Sequence, residues 1–406
     1  MTREECEAMF LKNNLFLLAE KMKISSAEAL VLQAKLWQNP VFSVEEVNFW
    51  AGKQQLDVFG QEVKGFFGSN FGRNRQAAVS LEQLILTAGK RDKAVAVQVA
   101  AVEIEKMSFE EALRNLKSSL RIRIAELNYH SELRRVFENQ IFSVKKLISA
   151  YKSQVEKGNI PKGELIRLKA LEMEIQKQIY ETDKVLNEVQ NLLCRLMSLP
   201  PNSVLKIETQ NITNYAQTFR ALSLQNLINS ALENRPEIKT AKAAENYQKN
   251  ILELEKAKKV PDLVLKANYD RAGNFMYNFI GFGIAAELPF FNKNQGNIKF
   301  AEITLEKTRL DKKRQEYALE SEVTLAFKNF DNALRLYLQA EPDFEQTLDL
   351  LLESYTKNFA NRNIDFLEYF DFLSTYLENK RIIIEGQKEL REKAEALNFA
   401  VGNDIF

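Results

Sequence analysis

The sequence predicts a mainly α-helical chain with a small β portion, built from two copies of one unit: helix, β-hairpin, long helical hairpin. Three observations predict it. Landmarks repeat at fixed spacing: Tyr151 stands seven residues before Gly158-Asn159-Ile160 (158−151), and Tyr355 seven before Arg362-Asn363-Ile364 (362−355). Leu84 to Tyr151 and Leu288 to Tyr355 are both 67 residues (151−84, 355−288), and Asn13 to Pro40 and Asn234 to Pro261 are both 27 (40−13, 261−234). Helix breakers are scarce, with 14 Gly and 8 Pro in 406 residues, which suits long helices. Finally, the hydrophobic period changes from helical to two at equivalent points of both copies. The repeat divides the chain into a first unit at 1–205, a linker at 206–222 and a second unit at 223–406.

The elements follow in order. The leading helices end in Leu36-Trp37-Gln38-Asn39-Pro40 and Lys258-Lys259-Val260-Pro261, where proline stops a helix. Strands are expected near 41–50, 75–85, 261–270 and 278–288. The spans 90–157 and 295–358 are nearly free of Gly and Pro, Pro342 being the main exception, so each reads as one helix. About 65 residues at 1.5 Å each give roughly 100 Å. Second helices are expected over 164–197 and 366–401. The turns Gly158-Asn159-Ile160-Pro161 and Asn361-Arg362-Asn363 fold each pair into an antiparallel hairpin. Leu165, Leu168, Leu171 and Ile175 recur at three- and four-residue spacing, the seam of a coiled coil.

In the strands, Ile280, Phe282, Ile284, Ala286 and Leu288 alternate with Gly281, Gly283, Ala285 and Glu287. Val79, Leu81 and Ile85 alternate with Ser80, Glu82 and Leu84, and Leu263, Leu265, Ala267 and Tyr269 with Val264, Lys266, Asn268 and Asp270. The apolar set suits lipid, and the small or polar set, with Glu82, Gly281, Gly283 and Glu287, suits a lumen. Each run is about ten residues, close to the ~9–11 that cross a bilayer when tilted. Aromatic residues crowd the ends: Trp37, Phe42, Phe290 and Phe291 at one, Phe49, Trp50, Phe71, Tyr269, Tyr277 and Phe279 at the other. Four strands cannot close a barrel alone, because open edges are not tolerated in hydrocarbon. The segment therefore demands either strands pooled between copies or a soluble sheet.

Other classes find little support. A net charge of +1 gives no bulk attraction for nucleic acid. Cys6 and Cys194 form no disulfide framework, and Cys6 reads as an ordinary helix residue. No apolar run is long enough for a transmembrane helix, and the opening Met1-Thr2-Arg3-Glu4-Glu5 is not a signal peptide. The lone histidine, His130, lies in a helical run without a catalytic partner. No nucleophile motif or phosphate loop is present; Gly65-Phe66-Phe67-Gly68 lacks the lysine and helix start. Adjacent acids such as Glu110-Glu111 diverge on a helix. One His and two distant Cys make no soft-metal site. No enzyme, cofactor or bound metal is expected.

The chain resembles the TolC-type outer-membrane efflux proteins, most closely the heavy-metal (CzcC-like) branch. The resemblance is carried by the helix ends quoted above, by Glu287-Leu288-Pro289-Phe290-Phe291-Asn292-Lys293-Asn294-Gln295-Gly296 and its counterpart Thr87-Ala88-Gly89-Lys90-Arg91, and by the two tip turns. It covers almost the whole length. It implies a homotrimer in which each subunit gives four strands to one 12-stranded transmembrane β-barrel, while the helical hairpins form a hollow α-barrel in the periplasm. The hairpin tips would meet an inner-membrane RND-type pump through a periplasmic adaptor, with the strands in outer-membrane lipid. The resemblance places adaptor contacts at the tip turns Gly158, Asn159, Ile160, Arg362, Asn363 and Ile364. Arg362 departs from the glycine usual there.

The resemblance also implies a gate of carboxylates six and nine residues after the tip glycine, here Glu368 and Asp371, with Asp365 before them. The first tip has Glu164 and Arg167 at the matching positions. Rings of carboxylates favour cations; the plainer role for Asp365 and Glu368 is to complement a helix N-terminus. Three functions stand open: a passive export duct for metal cations or other small toxic compounds, the outlet of a type I protein secretion system, and a soluble coiled-coil scaffold.

Overall fold

A computed structural model describes residues 1–48, 76–209, 211–272, 277–339 and 343–406. Phe49, Trp50, Phe71, the Gly65–Gly68 segment and Pro342 lie outside the described residues, as does the side chain of Tyr277. In chain order the elements are α1 (Arg3–Asn13), α2 (Leu15–Lys35), β1 (Val41–Asn48), β2 (Gln76–Ile85), α3 (Lys90–Glu156) and α4 (Lys162–Leu196). Then come α5 (Tyr215–Arg220), α6 (Leu224–Asn234), α7 (Pro236–Ala257), β3 (Leu263–Ala272), β4 (Tyr277–Ala286), α8 (Gln295–Gln339), α9 (Phe344–Ala360) and α10 (Phe366–Val401). The chain is mainly helical with one small sheet. It divides into two compact units: residues 1–22, 106–240 and 313–406, and residues 23–105 and 241–312.

The second of these units holds the sheet. Its order is β1-β2-β3-β4 and every pairing is antiparallel. Because side chains alternate along a strand, partners in register share a face. One face carries the rows Phe42, Leu81, Ala267, Phe282 and Val44, Val79, Tyr269, Ile280. The other carries Ser43, Ser80, Asn268, Gly281 and Val41, Glu82, Lys266, Gly283. The apolar face is open: Phe282 is 86% exposed and Ile284 73%. Strands β1 and β4 are the edges of the sheet.

Two strand boundaries differ from expectation. β4 closes at Ala286, so Glu287 is an exposed residue one position beyond the strand. Pro289, two residues on, has no N–H for a ladder. β3 opens at Leu263 because Pro261 and Asp262 are engaged in a junction. There, the Thr87 amide donates to Asp262 Oδ1 at 2.9 Å and its hydroxyl to the Pro261 carbonyl at 2.6 Å. Lys90 Nζ lies 2.7 Å from Asp262 and donates to the Val260 carbonyl at 2.6 Å. Partial desolvation opposes ionisation of Asp262, yet these donors hold its carboxyl below the usual range.

In the other unit the hairpins pack around Leu168, Ile175, Phe359, Tyr369 and Leu373, all nearly inaccessible. Residues 206–222 hold α5, and Ile207, Ile212 and Tyr215 are buried there. The two leading helices of each copy start in register, at a distance of 221 (224−3 and 236−15). Between them sit Asn14 and Arg235, both 5% exposed. Asn14 donates its amide to the Leu196 carbonyl at 2.7 Å, and Arg235 donates to the Ala400 carbonyl at 2.9 Å. Each therefore satisfies a backbone acceptor at the end of its copy's final helix, which has no intrahelical donor left.

The expected single helix over 295–358 is two helices, α8 and α9. They differ in phase. α8 opens 205 residues after α3 (295−90), whereas the tip residues Gly158 and Arg362 are 204 apart (362−158). Burial follows the longer distance: Ser118, Arg121, Ala125, Asn128 and Tyr129 correspond at 205 to Val323, Ala326, Phe330, Ala333 and Leu334, all buried. Pairing Leu84 with Leu288 is thus one residue out, because one residue is lost between α8 and α9.

Candidate functional site

The tips of the two hairpins carry the same backbone turn. In the first, Gly158 has φ +75°, its amide donates to the Val155 carbonyl at 3.0 Å, and the Asn159 amide to the Gln154 carbonyl at 2.9 Å. In the second, Arg362 has φ +63°, its amide donates to Phe359 at 3.1 Å, and Asn363 to Asn358 at 2.9 Å. Both are the paired bonds that close a helix through a left-handed residue. Side chains repeat the match: Asn159 Nδ2 donates to Gln154 Oε1 and Asn363 Nδ2 to Asn358 Oδ1. Arginine in this backbone region costs roughly 1–2 kcal/mol that glycine avoids. Ile160 is buried and Ile364 half-buried, so the turns are anchored inward while Asn159, Arg362 and Asn363 stay exposed.

Aromatic rings brace the tips from within. Tyr151 stacks on Phe359 at 5.1 Å and Phe359 on Tyr369 at 4.7 Å, while Tyr355 stacks on Phe372 at 4.0 Å. The Tyr151 hydroxyl reaches the Phe359 carbonyl at 3.4 Å, and burial pushes its pKa up to about 12. These contacts tie the first hairpin to the second, so displacing one tip disturbs the other.

The charged candidates sit around this anchored turn. Asp365 is the N-cap of α10, its carboxylate accepting from the Glu368 amide at 2.9 Å. That contact satisfies one orphan donor and gives Asp365 a local role. Glu368 and Asp371 are exposed three residues apart, on one helix face. Glu164, half-buried, lies in the first turn of α4. Arg167 is exposed, with its guanidinium 5.8 Å from the centre of the Phe366 ring. Among the described residues of this chain, neither Arg167 nor Asp371 makes an ion pair.

On the polar face of the sheet, Lys266 Nζ lies 2.5 Å from Glu82 Oε1, a cross-strand pair that neutralises both charges. The two glycines beside them differ. A Cβ at Gly281 would stand 2.5 Å from Asn268 Oδ1 and 2.8 Å from the Phe279 ring, whereas at Gly283 its nearest neighbour is Lys266 Cβ at 3.8 Å. Only Gly281 is held by close approach.

A cluster not anticipated from the sequence lies at the far ends of the hairpins. Arg121, 5% exposed in its side chain, contacts Glu7 at 2.6 Å, Glu395 at 3.1 Å and Asp404 at 2.5 Å, and Lys117 adds a bond to Asp404 at 3.0 Å. Beside it Arg114 pairs with Glu237, which also accepts from Arg235. Hydrogen bonds from Arg121 hold the Asp404 carboxyl well below the carboxylate range, against desolvation. Burial pushes Glu395 the other way. Asp404 therefore stabilises the fold fully above its unfolded pKa of about 4, and loses that contribution as pH falls through its depressed folded value. Amide exchange at Ile405 and Phe406, whose N–H groups donate to Asn398, should stay protected down to about pH 4 and accelerate only below it. Acceleration already near pH 6 would contradict this.

No family model and no curated protein matches the sequence. Solved structures do match in fold. The chain is similar to CusC, whose structures concern folding and transmembrane channel formation, with TM-score 0.76, 16% identity, and 99% of this chain and 92% of that one covered. It is similar to the Campylobacter jejuni CmeC outer membrane channel, with TM-score 0.76, 14% identity and coverage of 99% and 86%. It is also similar to the Vibrio cholerae outer membrane protein VceC, with TM-score 0.73, 15% identity and coverage of 100% and 97%. These neighbours are membrane channels or outer-membrane proteins, and none is described as an enzyme. Over its whole length, then, the chain has the TolC-like channel fold.

Proposed function

We propose that this chain is the outer-membrane channel component of a tripartite efflux system: a passive, homotrimeric export duct for metal cations or other small toxic compounds. The observation that carries the reading is the sheet. Its apolar face is exposed, its polar face is small and charge-paired, and both edges are open among the described residues, on a chain that follows a channel fold from end to end. A monomer with such edges has no stable place in lipid. Three copies pooling four strands each would close a 12-stranded barrel in the outer membrane, and the helical hairpins would extend into the periplasm. Adaptor contact would fall on the exposed tip turns, with an inner-membrane RND-type pump supplying energy and substrate choice. The test is purification of the full chain in detergent, mass measurement, and conductance in lipid bilayers. A monodisperse monomer that stays soluble without detergent would refute the proposal.

The gate reading rests on Glu368 and Asp371, the exposed carboxylates at the second tip. In a trimer each would recur three times around one axis, where like charges repel. Arg167, exposed and without an ion pair among the described residues of its own chain, would be the counter-charge across the subunit boundary. Arg167→Glu is expected to raise leak conductance in bilayers. Joint Glu368→Ala and Asp371→Ala substitution should weaken cation preference and block by multivalent cations. Unchanged selectivity and block would leave these side chains as helix-terminus residues.

A further inference from the structure

We infer that Phe279 is a cargo-contacting residue of the duct, an aromatic surface on the lumen wall that takes organic cations with an apolar body; this rests on the channel reading above. Aromatic residues of membrane barrels belong to the outward girdles, while the interior is polar. In the sequence Phe279 stands with the aromatic residues at one end of the strands. The register puts it on the other side of the wall. Phe279 is opposite Asp270, and Gly281 and Gly283 follow it on the polar face, away from Ile280, Phe282 and Ile284. Its row across the sheet is Glu45, Ala78, Asp270 and Phe279, and the side chain is 45% exposed there.

The backbone beside it makes room for the ring. Gly281 is the next residue on that face, and a Cβ there would stand 2.8 Å from Phe279 Cε1 and 2.5 Å from Asn268 Oδ1. The ring therefore leans along β4 over the glycine. Gly283, two residues further on the same face, has no such neighbour, its nearest being Lys266 Cβ at 3.8 Å. A strand glycine under close approach marks the group that approaches it. Here that group is an aromatic ring on a face where the pattern expects none.

Charge selects the kind of cargo. The neighbouring row, Ser43, Ser80, Asn268 and Gly281, is uncharged, and in the row beyond it Glu82 and Lys266 neutralise each other at 2.5 Å. Of these three rows, that of Phe279 carries two acidic residues, Glu45 and Asp270, and no basic one. The face of an aromatic ring attracts a cation through its quadrupole, and the apolar flank of an organic cation gains by leaving water against it. A small divalent ion, which dehydrates reluctantly, cannot use the ring in this way. In a three-copy barrel the ring would recur three times at one level of the lumen.

The test uses the full chain, purified in detergent and reconstituted into planar lipid bilayers. Potassium current is blocked with tetraphenylphosphonium and, in parallel, with Mg2+. Phe279→Leu, of similar bulk but without a ring, should raise the half-blocking concentration of tetraphenylphosphonium roughly two- to fivefold, the range of a cation over one aromatic face. Phe279→Tyr should keep the wild-type value. Gly281→Ala, which displaces the ring without removing it, should shift block in the direction of Phe279→Leu. Block by Mg2+, which the gate reading assigns to Glu368 and Asp371, should be the same in all four proteins. An unchanged half-blocking concentration in Phe279→Leu would overturn the assignment and leave the duct intact, as would an equal change for tetraphenylphosphonium and Mg2+. A wild type that conducts but is not blocked by tetraphenylphosphonium would do the same. A wild type that carries no current would remove the assignment together with the duct.

Discussion

Arg121→Ala is expected to lower stability by about 3–5 kcal/mol, the scale of stranding a buried charge by deleting its partner. Arg121 projects from α3 and meets carboxylates from α1, from α10 and from the segment after α10. Lys117 can still serve Glu7 and Asp404, at 3.4 and 3.0 Å. Glu395 has no second cation among the described residues, only the side chains of Ser118 and Asn398. It is 8% exposed, and burial already opposes its ionisation even with Arg121 present. Adding Glu395→Gln to Arg121→Ala should therefore restore part of the loss, since a neutral amide can be buried at lower cost. The measurement is denaturant unfolding in detergent for the two singles and the double. A loss below about 1 kcal/mol would place Arg121 among ordinary surface ion pairs.

The second large effect concerns the sheet. On the channel reading proposed above, Phe282→Arg and Ile284→Arg should each impair insertion, because a cation on a lipid-facing side costs roughly 2–4 kcal/mol at mid-depth. Both side chains are on the apolar face, 86% and 73% exposed. Gly283→Arg is the internal comparison. It lies between them on the opposite face, where an added Cβ meets only Lys266 at 3.8 Å. That variant should fold into the membrane and lower conductance. Equal heat-resistant trimer yields for all three variants would show the face assignment to be wrong.

What the sequence disclosed, and what it hid, divides along physical lines. The sheet faces were legible because a period of two is a local rule: Phe282 and Gly283 are assigned by parity alone. The first hairpin was legible because Gly158 and Pro161 mark its turn, and the second, whose turn has neither residue, because Tyr355 and Asn363 repeat the spacing of Tyr151 and Asn159. The end of β4 was less legible, because the alternation runs on through Glu287 and Leu288 while the ladder stops at Ala286. The one-residue phase difference was hidden because Tyr151 and Tyr355 lie beyond the place where it is corrected. The Arg121 cluster was invisible for a different reason. Its members come from positions 7, 121, 395 and 404, and no local pattern links charges that only tertiary packing brings together. Of the tip acids, Asp365 and Glu368 carried the local signature of a helix N-terminus, and the structure makes Asp365 the N-cap of α10 with Glu368 in its first turn.

The loss of one residue between α8 and α9 bears on how the two copies stay interchangeable. An α-helix turns by about 100° per residue. Had α8 continued unbroken with one residue fewer, every side chain beyond the loss would have been swung by that angle. Tyr355 would then have left the direction that Tyr151 takes, and the second tip would have presented another face. The separation of α8 from α9 works instead as an adjustable coupling in a drive shaft. Length is dropped on one side and alignment is recovered on the other, so that Gly158 and Arg362 end their helices with the same bonds. The first copy, with a continuous α3, has no such coupling, and its tip is aligned by residue count alone.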